Sequence, residues 1–460
     1  MGVSTRVLGA GLTKTSGNLN SSLATLYLLA DLCITSDSTL YFNQVELNNL
    51  TLTLGSGSTD MQVSSALTLD NANELIITGE ADLRLMEFQD ISIGCVTSTG
   101  GAISFQGGGQ LSGAGILDVS GSTWGLGEDF VKSSGTLTTT ETTNLALSAS
   151  STLTSDVSLN FENLNLNDFT LTLGSSTSDL TVVDNFTIDS SGEGILTGEA
   201  DLILLSALTM SEGLLGSTGG TWVLSKDFLK SGGTLTISQT DLELKDSIKL
   251  TSDQALSFVF VTLNLNNFTL TLGSLTSDLT VTNAITIDAS TEGISTVEAD
   301  LTVEGDFTLA NGKLESTSGE LIFRQGGTQS GSSVFDLGAS TLSLGAGYTK
   351  SGGNLLSSSA TLDLLVDLAI TSDSALSFNQ LNLNNLTLTL GSESSDLQVS
   401  SALILDNSNE LVITGKADLS LLAFQDISIG GVTSTSGIIS LLGGGQLSGE
   451  GKLDVSGSTW

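Results

Sequence analysis

Four short acidic motifs hold the residues best suited, by type and spacing, to do chemistry. Glu80 and Asp82, Glu199 and Asp201, and Glu298 and Asp300 recur as Glu-Ala-Asp, and Lys416 and Asp418 stand in the fourth copy. Two positions apart on a strand, both carboxyls of a pair would face the same side. Such a pair could serve glycoside hydrolysis or offer oxygen ligands to calcium. Repetition argues against catalysis, because an active site is normally unique and Lys416 breaks the fourth pair. The motif therefore reads as a turn or strand-edge feature.

Other chemistries fare no better. Histidine is absent, which removes the commonest general base and transition-metal ligand. Calcium loops of the GGxGxDxUx or EF-hand type are missing, and Gly107-Gly108-Gly109 has no acidic neighbour in sequence. Weak, scattered calcium binding at the surface is the most that the acids suggest. Nucleophile motifs, phosphate loops and dinucleotide fingerprints are missing too. No catalytic, cofactor-binding or metal-ligating residue is assigned, and the chain is read as no enzyme.

Three further groups have structural explanations. Thr51/Thr53, Thr170/Thr172, Thr269/Thr271 and Thr387/Thr389 form TxT pairs of the kind found on ice-binding faces. They occur once per repeat unit, as solvent-facing β-branched residues would. Trp124, Trp222 and Trp460 share one motif in which Leu342 stands in another unit, which predicts core packing over a sugar-stacking platform. Glycosylation sequons at Asn20, Asn49, Asn185, Asn267 and Asn385 are expected by chance in an Asn/Thr-rich chain.

The elements that position these residues are set by repetition. Ser4–Trp124 and Ser340–Trp460 are near-copies 336 positions apart. Three related units fill that period, marked by Leu/Asn and Thr/Leu strands that end on Gly55, Gly174, Gly273 and Gly391. Residues 1–15 read as the end of a preceding unit, followed by units at 16–132, 133–230, 231–350 and 351–460, together one continuous solenoid. Met1–Gly17 matches the middle of the repeat, so the stretch reads as cut from a longer array.

Apolar residues recur at i and i+2 in runs such as TLTI, DLEL, SIKL, ALSF, LNLN and FTLTL, between Ser-Gly, Asn-Gly and Gly-Gly turns. That predicts an all-β chain with essentially no helix. Strands recur about every 8 residues, roughly twice the density of an immunoglobulin-like sandwich. The expected fold is a parallel β-solenoid (β-helix) of about 20 coils, three strands to a coil. Tandem β-sandwich domains are the alternative.

Composition restricts partners. The 460 residues carry 50 acidic and 13 basic side chains, a formal net charge of −37. Nucleic acid is excluded, since nothing could neutralise its phosphates, and no apolar run is long enough to insert in a membrane. Cys33 and Cys95 are replaced by Ala369 and Gly431 in the second copy, so the fold needs no disulfide.

Units such as FLKSGGTLTISQTDLEL (Phe228–Leu244) resemble the low-complexity β-solenoid repeats of large secreted bacterial surface proteins, filamentous haemagglutinin-like and autotransporter adhesins among them. The resemblance implies an extracellular or cell-surface stalk, adhesin or matrix fibre. The expected function is a non-enzymatic structural one, with end-to-end or lateral self-association and cell-surface or matrix polysaccharide as partners. A carbohydrate-active β-helix enzyme and an ice- or mineral-binding solenoid are the alternatives.

Overall fold

Short runs with one apolar face can bury that face only by closing on one another. In the computed structural model they close into coils. The structure describes residues 4–460 apart from 10, 17, 18, 20, 56, 68, 70, 71, 255–257, 392, 393, 402, 406, 407, 415 and 429. The described elements comprise 63 strands of two to five residues, and no helix occurs among them. Strands pair in parallel, typically with the strand three places on, so three strands make a coil and the chain makes about 21 coils. Register advances by one coil at each step, from Asn144 to Asn163 at the shortest and from Thr170 to Gly194 among the longest. Parallel ladders between successive coils define a β-solenoid and displace the sandwich alternative, whose sheets are antiparallel.

The chain forms two compact units, Met1–Val223 with Ser231–Gln239, and Leu224–Lys230 with Thr240–Trp460. In the first, an eight-stranded ladder runs from Gln89–Ile91 to Thr234–Ile237. In the second, a nine-stranded ladder runs from Ile285–Ile287 to Lys452–Asp454. Inward positions hold Leu, Ile, Val and Phe in stacks, for example Leu52, Leu75 and Val96 on three successive coils, all fully buried. Each such side chain contributes roughly 1.5–3 kcal/mol. Trp124 lies among Phe105, Phe130 and Phe161, with its ring 5.0 Å from that of Phe130 and perpendicular to it. Phe307 stacks on Phe323 at 4.2 Å in the second unit.

Corners explain the Asn-rich markers. Asn48-Asn49, Asn167-Asp168, Asn266-Asn267 and Asn384-Asn385 all have φ between 50° and 68°. Each pair forms the centre of a type I′ turn closed by an i to i+3 bond, such as Phe169 N–H to Leu166 O at 2.9 Å. Asparagine tolerates this left-handed backbone. The first Asn of each pair also donates its side-chain amide to a carbonyl on the preceding coil: Leu28, Leu147, Leu244 and Leu364, at 2.7–2.9 Å.

One strand was not expected from the sequence, and one expected strand is not tested. Gly327–Gln329 is a strand that apolar alternation does not reveal, because its inward side chain is the fully buried Gln329. Tyr348 donates its hydroxyl to that residue's Oε1 at 2.9 Å, and Gln329 Nε2 donates to Asn354 O at 3.0 Å. The expected run ALSF lies largely outside the described residues, and the strand found there is Phe258–Phe260.

Candidate functional site: polar corners and buried ion pairs

Glu-Ala-Asp does not place two carboxyls side by side on a strand. The motif lies in the turn before the strands that begin at Leu83, Leu202, Leu301 and Leu419. Glu80, Glu199, Glu298 and Lys416 are exposed at the turn, the Ala is buried, and the Asp is half-buried. Each Asp then works as a backbone acceptor. The N–H groups of Ala102, Thr221, Glu320 and Ile438, one coil on, donate to Oδ1 of Asp82, Asp201, Asp300 and Asp418, each at 2.7 Å. The N–H of each of those Asp residues donates in turn to Asp60, Asp179, Asp278 or Asp396 one coil back, at 2.8–3.2 Å. The carboxylates satisfy corner N–H groups that the sheet ladder leaves open. Burial pushes the Asp300 carboxyl above its ordinary range, and the nearby charges of Asp278 and Glu320 add to this.

A second corner repeats the device. Asp31, Asp129, Asp227 and Asp367 accept the N–H of Thr51, Thr152, Lys249 and Thr387 at 2.6–2.9 Å. In the two intervening units Ser150 and Ser247 take the place of Asp31 and Asp367, accepting the N–H of Thr170 and Thr269 at 3.1 Å, so this corner needs an acceptor more than a charge, as a structural cap does.

The most unusual polar feature escaped sequence reasoning. Lys132, Lys230 and Lys350 occupy inward strand positions and are buried. Their ammonium groups pair with Asp156, Asp253 and Asp373 on the next coil, and Lys14 pairs likewise with Asp37. The Lys230–Asp253 and Lys350–Asp373 contacts are 2.5 Å. Lys14 and Lys350 also donate to Ser38 and Ser374 at 2.8 Å. Hydrogen bonding from the ammonium holds the carboxyls of Asp37 and Asp373 below the usual aspartate range. The signal that could have found these pairs is a Lys-Ser/Thr step followed 23 or 24 residues later by the Asp of Thr-Ser-Asp, in four units.

The remaining candidates stay apart. TxT threonines face outward, but the neighbouring coils carry other residues, such as Glu74 and Ile76 beside Thr51 and Thr53. No coil-by-coil threonine array forms there. Trp124 and Trp222 are buried, as is Leu342 in their place, whereas Trp460 is exposed. Asn49, Asn185, Asn267 and Asn385 are exposed, and Asn20 lies outside the described residues. Cys33 and Cys95 are free thiols. Among the described residues no group of three or more Cys, Asp or Glu side chains is gathered as a metal site. Gly108 has φ 71°, and a Cβ there would meet Asp129 O at 2.4 Å, so the glycine run is a packing requirement. Comparison with family models, with curated proteins and with solved structures finds no match to this chain.

Proposed function

We propose that this chain is a non-enzymatic structural segment of a secreted, cell-surface stalk, adhesin or self-assembling filament. The observation that carries the reading is the use made of its polar groups. Carboxylates at the corners are engaged in the same inter-coil bonds in unit after unit, so the chemistry of the repeat is spent on its own continuation. A net charge of −37 keeps a large, regular β-surface soluble and discourages indiscriminate lateral pairing.

Self-association, end to end or lateral, belongs to the same reading, since a parallel ladder can be extended by strands of a second copy. Weak contacts with surface or matrix polysaccharide would gain strength from repetition.

Electron microscopy of the purified chain tests the proposal. Filaments whose power spectra carry an axial spacing of about 4.8 Å are expected. Particles that stay monomeric at high concentration would refute self-assembly.

A further inference from the structure

We propose that residues 39–84 form a groove for a neutral oligosaccharide that the other units lack, an inference independent of the structural role above. Tyr41, Gln62 and Arg84 stand in register on three successive coils. Their strand neighbours Leu40, Phe42, Met61, Val63, Leu83 and Leu85 are all buried, so the three side chains project outward. With Thr39, Asp60 and Asp82 they line a cleft of about 130 Å³.

This cleft is where the repeat departs from itself. In the near-copy, the same ladder reads Ser377, Gln398, Ser420, with Asp396 and Asp418 retained. It reads Asn160, Thr181, Ile203 in one intervening unit and Val259, Thr280, Thr302 in the other. Only residues 39–84 combine an aromatic ring with a guanidinium on a scaffold otherwise shared. Tyr41 is 47% exposed. Among the described residues, Arg84 makes no ion pair, although the chain carries 50 acidic side chains, and the Tyr41 hydroxyl and Gln62 amide make no hydrogen bond.

Those groups suit a sugar. An exposed ring face takes the C–H face of a pyranose, while Gln62 and Arg84 supply donors. Asp60 accepts the Asp82 N–H at Oδ1 and the Thr39 hydroxyl at Oδ2, Asp82 accepts the Ala102 N–H at Oδ1, and both carboxylates line the cleft, where their remaining lone pairs can accept from sugar hydroxyls. Two carboxylates against one guanidinium, on a chain of net charge −37, select a neutral ligand over a polyanion. Beyond Arg84 the ladder continues with Ser104, Gly125 and Ala146, a low floor on which further rings can lie.

The test is calorimetric titration of the full chain with cellohexaose, xylohexaose and chitohexaose, and with hexagalacturonate as the anionic control. At least one neutral hexasaccharide should bind at one site per chain. The double variant Y41S/R84S installs the residues that stand naturally at 377 and 420, so it should fold, as circular dichroism would check. It should weaken binding by about tenfold or more, the loss of one aromatic contact and one charged donor. The reciprocal variant S377Y/S420R should add a second site. Absence of saturable binding by all three neutral sugars, undiminished binding by Y41S/R84S, or preference for hexagalacturonate would overturn the proposal.

Discussion

Removing either partner of a buried ion pair breaks the same contact, yet the two removals should differ sharply in cost. Lys350 is 4% exposed along its side chain and Asp373 is 42% exposed. Asp373→Ala strands an ammonium inside the coil stack, with only the Ser374 hydroxyl at 2.8 Å left to solvate it. Breaking a buried pair from one side costs about 3–5 kcal/mol, and the partial exposure of Asp373 places this case near the lower figure, about 3 kcal/mol. Lys350→Met removes the charge that needs solvation and keeps an unbranched stem of similar length. Its cost should stay within about 1 kcal/mol, and Asp373 then turns to water. Amide hydrogen exchange read by mass spectrometry resolves the difference, because coils open locally in a repeat structure. Peptides across residues 341–390 should exchange about a hundredfold faster in Asp373→Ala, at roughly 1.4 kcal/mol per tenfold. In Lys350→Met they should stay within about fivefold of wild type. Equal acceleration in both variants, or the larger effect in Lys350→Met, would refute the claim that burial of the lysine governs the pair.

Acid lability of the ion pairs and strain in two turns can be tested as well. Asp37 and Asp373 have depressed pKa values, so the stability they contribute is complete above the ordinary aspartate pKa of 3.8 and is lost as pH falls through the lower folded value. Exchange in their coils should accelerate on acidification below about pH 4, and Lys350→Met should abolish that response around Asp373. Val297 adopts φ 55° where Gly79 and Gly198 stand in the equivalent turns at 66° and 59°. Val297→Gly should stabilise the second unit by about 1 kcal/mol in urea unfolding, because a left-handed β-branched residue costs about 1–2 kcal/mol. Asn167→Ala loses both the left-handed tolerance of Asn and its bond to Leu147 O at 2.7 Å. It should cost about 2 kcal/mol, read as a lower urea midpoint of the first unit.

Period-2 alternation in TLTL or DLEL was enough to predict strands, and their density was enough to prefer coils over sandwiches, because both signals lie within a few residues. What stayed hidden depends on which residue lies one coil away. Asp82 looks like half of a carboxylate pair until Ala102 is placed beside it. Lys350 looks like a solvent-facing charge until Tyr348 and Lys350 are seen to share the inward face, with Asp373 above. Gln329 looks like a loop residue until Tyr348 is stacked over Gly327. In each case the partner sits 19 to 23 residues on, at a spacing that insertions vary from coil to coil.

That spacing also separates the shared from the particular. The turn carboxylates Asp82, Asp201, Asp300 and Asp418, which bond across coils, recur at matching positions in all four units because each unit must solve the same corner. Outward ladder positions are under no such constraint, so Tyr41, Asn160, Val259 and Ser377 can differ at one equivalent place without disturbing the coil beneath. A solenoid of this kind therefore keeps its architecture in the repeated residues and leaves recognition to the exceptions. Selective binding belongs where an exposed ladder breaks the pattern while its corner carboxylates keep it, and residues 39–84 meet both conditions.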